Sequence, residues 1–289
     1  MARRVLIVGG TRFIGAHAAK RFVEDDADVT VFHRGQSRNA ILPDAVEHVC
    51  DASAEYPIAR FPEALTARDW DVVVHMVAMG EADTRAAIDA FAGRTGRLVL
   101  ISSGDVYRAY GRLTGHEPGE PDPVPLTEEA PLRSALYPYR AYAKRMGAYA
   151  HDYEKILAEA AVRAGVLPFT ILRLPKVYGP EDNADLATVY GFSSQPQWRW
   201  THGHVANVAH AIVLAATHPD AAGRIYNVGE AATPTMGERL ARLPARAAKG
   251  TPPPFDYRQD MAVDTSRIRA ELGYDDVVDE AEAMRALSA

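Results

Sequence analysis

The chain has a single cysteine, Cys50, so no disulfide can form within it, and a reducing cytoplasm is the expected compartment. No apolar run reaches the roughly 18 residues of a spanning helix, which counts against a membrane protein. The opening, Met1-Ala2-Arg3-Arg4 followed by four apolar residues and then glycines, lacks the apolar core and cleavage site of a secretory signal. An excess of positive charge is also missing. The formal charge is -6 and the pI is near 5.9, which counts against a general nucleic-acid binder. His202, His204 and His210 have no carboxylate cluster beside them and their spacing fits no common metal site, so no metal is expected. No internal repeat is visible.

At 289 residues there is enough chain for one large domain with a small appendage. Val5 to Val8 is a short apolar, largely β-branched run. It enters Gly9-Gly10-Thr11-Arg12-Phe13-Ile14-Gly15, after which Ala16, Ala18, Ala19, Phe22 and Val23 recur with a helical period. A buried strand, a glycine turn and a helix leave backbone N–H groups at the helix start, where they and the helix dipole favour a phosphate. Gly9, Thr11, Arg12, Phe13, Ile14 and Gly15 therefore read as a dinucleotide cradle, with Arg12 in place of the usual middle glycine.

Asp28 to Phe32 reads as the second strand. Where an acid would meet the adenosine ribose stand His33 and Arg34, and a guanidinium suits a phosphate ester. The cofactor expected is NADP, with NAD as the other candidate and Arg12 as a second cation. Val46 to Val49 gives a third strand, with Asp51 placed to accept from the adenine amino group. Val72 to Val77 is a fourth strand leading to Ala78, a small residue beside the cofactor. The fifth, Arg97 to Ile101, delivers Ser102, Ser103 and Asp105 at its carboxyl end, the edge where open parallel sheets take ligands.

Residues 110–138 read as an irregular covering loop. A long helix is expected to begin between Tyr142 and Tyr149 and to continue through His151, Lys155 and Val162. Pro168 to Arg173 is strand six, 181–200 a mobile substrate loop, and Val205 to Thr217 a helix. Arg224 to Val228 is another strand, Thr251 to Pro254 a proline-marked linker, and two helices close the chain. The alternation gives an α/β fold: a Rossmann-type, doubly wound parallel sheet with a small C-terminal substrate lobe. The division expected is 1–173 for the dinucleotide-binding domain and 174–289 mainly for the lobe, with segments returning to the first domain.

Several stretches together resemble the extended short-chain dehydrogenase/reductase family, the NAD(P)-dependent epimerases and dehydratases of nucleotide sugars. They are the glycine turn, Asp71-Val-Val-Val-His-Met-Val-Ala, Ile101-Ser-Ser-Gly-Asp-Val-Tyr, Leu172-Arg-Leu-Pro-Lys-Val-Tyr-Gly-Pro, His204-Val-Ala-Asn-Val-Ala and Ile225-Tyr-Asn-Val-Gly. The resemblance implies a tyrosine four residues before a lysine as proton carrier, the lysine on the nicotinamide ribose, and a hydroxyl residue on the substrate oxygen. The hydroxyl position falls on Ser103 and the lysine on Lys155, followed at the family's spacing by Glu159. No Tyr-x-x-x-Lys occurs anywhere in the chain, and His151 occupies the tyrosine's place.

On a regular helix His151 and Lys155 would share a face, and the ammonium would keep the imidazole neutral and able to take a proton. Tyr149 and Tyr153 would face elsewhere unless the helix bends. Asp105 falls where dehydratases of the family carry the acid that removes a neighbouring proton. Lys176 replaces the family's asparagine, and with Tyr178 it is expected on the substrate side. Two functions stay open. One is an NAD(P)-dependent epimerase, dehydratase or oxidoreductase acting on a sugar or polyol. The other is a dinucleotide-binding sensor or scaffold, since the Arg12 variant of the turn also resembles a subgroup that includes chloroplast stem-loop RNA-binding proteins. The resemblance further implies a homodimer paired through two long helices.

Overall fold

A computed structural model describes residues 2–37, 40–246 and 252–288, so Thr251 of the expected linker lies outside the described residues. The chain divides into two compact units. The first comprises Met1–Ser103, Leu136–Arg173 and Ala209–Tyr226, and the second Gly104–Ala135, Leu174–Val208 and Asn227–Ala289. The expected cut near residue 173 kept Gly104–Ala135 with the first domain. These residues instead cluster with the second unit, where Tyr107 Oη donates to Asn227 Oδ1 at 2.6 Å and Glu128 accepts from Asn227 N at 2.9 Å.

A seven-stranded sheet is built from β1 (Arg4–Val8), β2 (Asp28–His33), β3 (Glu47–Cys50), β4 (Val72–His75), β5 (Leu98–Ser103), β6 (Phe169–Leu174) and β9 (Arg224–Asn227). Their order is β3-β2-β1-β4-β5-β6-β9, which places β1 at the point where the winding reverses. The register is parallel where β1 meets both neighbours, with Leu6 opposite Thr30 on one side and Val73 on the other. Four residues of β1 and all of β4 are buried, which explains the apolar runs Val5–Val8 and Val72–Val74. Leu6, Val73, Leu98 and Leu100 share a core with Phe91 and Val162 from two covering helices, Glu81–Phe91 and Lys155–Ala164.

In the second unit β7 (Lys176–Tyr178) and β8 (His202–His204) form a short parallel pair. Segment 181–200, expected as a mobile substrate loop, carries the short helix Ala187–Tyr190 and sends several of its side chains into the core. Trp198 is buried, its ring 4.8 Å from Phe192 and 5.3 Å from Tyr257, and its indole N–H donates to the Gln259 carbonyl. Likewise 110–138 is not wholly loop. It opens with the helix Arg108–Thr114 and is tied by the Arg108–Asp122 ion pair.

The largest departure is the expected long helix. A short turn at Tyr149–Asp152 is followed by two extended residues, Tyr153 and Glu154, before the helix Lys155–Ala164 begins. The Glu154 side chain caps the new helix by accepting from Ile156 N. His151 and Lys155 are therefore not joined by a single turn of helix.

Candidate functional site

The glycine turn lies between β1 and the helix Phe13–Glu24. A Cβ added to Gly15 would sit 2.7 Å from the Gly9 carbonyl oxygen and 2.8 Å from the Gly10 Cα. Only glycine allows that approach, which brings the start of the helix close against the turn. Arg12 is the exposed residue preceding the helix, and its carbonyl accepts from Gly15 N and Ala16 N. Phe13 begins the helix at φ +37°, a left-handed value rare for an aromatic residue, and Ile14 beside it is half-buried.

Gly9, Thr11 and Arg12 line a cavity of about 430 Å³ together with His33 and Arg34. The sequence thus brings the turn and the end of β2 to one place. Several partners there were not singled out from sequence. Thr11 Oγ1 and Ser37 Oγ lie 2.8 Å apart, and the Arg34 guanidinium stacks 4.3 Å from the centre of the Tyr56 ring. Gly35 N donates to His33 Nδ1, which leaves the proton on Nε2, and that nitrogen lies 3.1 Å from His48 Nδ1. Burial, and then the neighbouring His48, hold the His33 imidazole below its ordinary range. Asp51 is half-buried, and its Oδ1 accepts from the hydroxyl and the backbone N–H of Ser53, which hold the carboxyl below its usual range.

At the carboxyl ends of β4 and β5, Lys155 is buried. Its Nζ donates to the Ala78 carbonyl and, at 2.8 Å, to that of Ile101. Ser103 ends β5 half-buried. Ala78 is fully buried, and its neighbours Val77 and Met79 are the ones that line the cavity. His151 has a side chain 60% exposed, with Nδ1 2.8 Å from Asp152 Oδ1. The shared face expected for it with Lys155 does not form, because the chain between them is extended. Instead the Tyr153 ring centre lies 5.5 Å from Lys155 Nζ.

Behind this edge are two buried groups of polar side chains. Glu159 accepts from Ser102 Oγ at 2.6 Å and holds Arg173 through Nε at 3.0 Å and Nη2 at 2.7 Å. His75, at the end of β4, is pushed well below its ordinary range by burial; the Asp83 carboxylate opposes that shift and Lys155 adds to it. Asp83 accepts from Met79 N and Gly80 N and so fixes the start of its helix.

The remaining candidates belong to the second unit. Asp105 is buried, and its carbonyl accepts from Arg133 Nε. Lys176 is half-buried in β7. Tyr178 was expected on the substrate side and is fully buried. Its ring stands 5.4 Å from His204 and 6.0 Å from His202, and it belongs to a core cluster with Leu186 and Met284. Glu230 is buried nearby, accepting from His204 N at 2.6 Å, and burial followed by the Glu280 charge pushes it up to about 8. Among the described residues no group of three side chains is arranged to hold a metal, and no helix is long and apolar enough to cross a membrane.

A family model described as the NAD dependent epimerase/dehydratase family matches residues 5–229. A Methanocaldococcus jannaschii protein provisionally named a UDP-glucose 4-epimerase is 26% identical over 199 residues. That match covers 64% of this chain but only 61% of the relative's own length. A Thermotoga maritima UDP-glucose 4-epimerase solved with UDP-glucose superposes with a TM-score of 0.69 at 15% identity, over 98% of this chain and 96% of that one. An epimerase of Methanothermobacter thermautotrophicus gives 0.72 at 16% identity, over 99% and 91%. A Bordetella bronchiseptica enzyme solved with NAD and UDP gives 0.69 at 16%, over 98% and 93%. At these identities the structural likeness shows the fold.

Proposed function

The chain belongs to the NAD dependent epimerase/dehydratase family, and on that premise we propose that it binds a nicotinamide dinucleotide in its first unit and oxidises a secondary alcohol of a sugar-containing or polyol substrate. The observation that carries this reading is the cavity that joins the Gly9–Gly15 turn to His33 and Arg34. The close approach of Gly15 to Gly9 and Gly10 fits a pyrophosphate held on backbone N–H groups. When bound, the nicotinamide accepts a hydride and can return it. Return to the same carbon from the other face gives epimerisation, and its use elsewhere gives dehydration or net redox.

In this reading the residues divide the work. Thr11 and Ser37 line the turn, Arg34 and Arg12 favour the 2′-phosphate of NADP over the bare ribose of NAD, and Ser103 positions the substrate hydroxyl. Lys155, anchored to two strand ends, presents a fixed positive charge at the edge where open sheets take ligands. A nucleotide sugar is the substrate class first in line, supported by the solved structures described above, one with UDP-glucose and one with NAD and UDP. Two side chains at the helix break are candidates for the substrate's proton, His151 and Tyr153.

A second reading, a dinucleotide-binding protein without turnover, draws on one observation. The chain has no Tyr-x-x-x-Lys, and His151 in its place faces solvent. One experiment separates the two. The purified protein is denatured and any released nucleotide identified by mass, and the native protein is assayed for nicotinamide absorbance change across nucleotide sugars and polyols. Bound or titratable NADP(H) or NAD(H) with turnover supports the enzyme. Nucleotide without turnover moves the binding protein ahead, and failure to bind any nicotinamide nucleotide sinks both.

A further inference from the structure

Residues 260–264 run extended between two other segments of the second unit. Met261 bridges to Trp200 and Val263 to Leu126, both in parallel register. Leu126 N donates to the Ala262 carbonyl at 2.8 Å, and Met261 N to that of Arg199 at 2.9 Å. Alternate residues of such a segment share a face. Asp260, Ala262 and Asp264 accordingly line one cavity of about 520 Å³, with Arg199 and Arg269 beside them. Every residue that lines it belongs to the second unit, and none of them lines the cavity at the glycine turn.

Two carboxylates and two guanidinium groups therefore share this cavity, yet no ion pair joins any two of the four. Arg269 is engaged by its surroundings. It donates to the carbonyls of Gly229 at 3.0 Å and Tyr274 at 3.3 Å and to Thr265 Oγ1 at 3.1 Å, and it pairs with Asp276 at 2.6 Å. Asp264 Oδ1 accepts from Ser266 N at 2.8 Å. Arg199 and Asp260 are less committed. Arg199 gives Nη1 to the Thr233 carbonyl at 2.7 Å, its ion pair with Glu238 is a long 3.9 Å, and among the described residues nothing accepts from its Nε or Nη2. Asp260 accepts one bond, from Arg199 N to Oδ1 at 2.8 Å, and among the described residues nothing donates to its Oδ2. Burial holds its carboxyl above the ordinary value, while that N–H and the Arg199 charge pull the other way. A half-buried carboxylate in this state is relieved by a further donor, most of all a cationic one.

The lining groups discriminate among ligands by charge. A simple anion would face Asp260 and Asp264, and a simple cation would face Arg199 and Arg269, so either meets repulsion. A small molecule that carries both charges can set each against its opposite. Val124, Pro125, Ala231 and Ala262 make other walls small and apolar, and no aromatic ring lines the cavity to stack on the face of a sugar. We propose that this cavity binds a free α-amino acid, its carboxylate on the Arg199 guanidinium, its ammonium on Asp260 and a small apolar side chain against Val124 and Pro125. A planar guanidinium takes a carboxylate through two parallel bonds, and Arg199 has Nε and Nη2 to give. The site shares no residue with the dinucleotide cavity and does not rest on the functional reading above.

The test is ligand binding to the full chain. Each standard L-amino acid is titrated singly by calorimetry, and the best binder is followed by its N-acetyl and its carboxamide forms, each of which removes one of the two charges. The expected result is saturable binding of an amino acid with a small apolar side chain, such as L-alanine or L-valine, weakened about 10- to 100-fold by blocking either end. Asp260→Asn keeps an acceptor for Arg199 N and should weaken the free amino acid by about the same factor, so that the N-acetyl form then binds as well as the free one. In Arg199→Gln the carboxamide should bind no worse than the free amino acid. Should Arg199→Gln fail to fold, Asp260→Asn and the two blocked forms on wild type carry the test. Absence of binding by every amino acid at millimolar concentration overturns the proposal. So does binding that survives the blocking of either end, or binding that Asp260→Asn leaves unchanged.

Discussion

Arg173 grips Glu159 with two parallel hydrogen bonds, Nε to Oε1 at 3.0 Å and Nη2 to Oε2 at 2.7 Å, with both side chains at most 3% exposed. Ser102 adds a third bond to the same carboxylate, so the end of β5, the helix that starts at Lys155 and the end of β6 meet at one ion pair. Removing one partner strands the other charge in the interior. Glu159→Ala should therefore lose about 3–5 kcal/mol of stability, read as a lowered urea midpoint. Replacing both partners with apolar residues of similar volume should cost markedly less than the single change.

Gly15→Ala should destabilise by about 1–3 kcal/mol, because its new Cβ meets backbone atoms of Gly9 and Gly10 rather than a side chain that can swing away. The same shift opens the phosphate cradle. A lowered melting temperature together with weakened nicotinamide nucleotide binding is the expected pair of results. Full binding at wild-type strength would show that the turn does not hold the pyrophosphate.

Arg34→Ala should weaken NADP+ binding by roughly 10- to 100-fold, the worth of one hydrogen-bonded charge, and leave NAD+ nearly as before. Calorimetric titration of both nucleotides against both proteins checks this. Equal losses for the two would instead mean that Arg34 acts through its stack on Tyr56 and not through a phosphate.

Glu230 gives a pH dependence whose sign can be stated. Its folded value is raised from 4.5 to about 8, so between those pH values the folded protein holds a proton that the unfolded chain releases. Stability therefore falls as pH rises through this window, by an amount on the order of a few kcal/mol at its upper end, and the penalty is absent below it. Glu230→Gln should flatten that slope in urea midpoints measured from pH 4.5 to 8. An unchanged slope would mean that Glu230 is ionised in the folded protein.

The local patterns in the sequence carried most of the fold. An apolar run, a glycine turn and a helical period are written within about two dozen residues, and β1, its turn and the following helix form there. The pairing of the turn with His33 and Arg34 was legible for the same reason, whereas Lys155 was singled out by the resemblance alone. What escaped depends on residues far apart in the chain. The helix break needs Met79, Gly80 and Tyr137, none of them near Glu154 in sequence, and glutamate is not a favoured capping residue that would announce it. Glu159 was noted for its spacing, yet nothing local reveals Arg173 as its partner. His48 and Tyr56 reach the end of β2 from other segments, and Tyr178, expected with Lys176 on the substrate side, packs into a core built from distant residues.

Gly80 makes the geometry around position 153 heritable as a pair of distant letters. Any methyl group at 80 collides with the carbonyl of Asp152, so the extended path and the glycine must be kept or lost together. A descendant that regained a tyrosine at 151 and a continuous helix would release position 80 to vary. One that kept the extended path would hold glycine there, so a side chain at position 80 marks that path as lost.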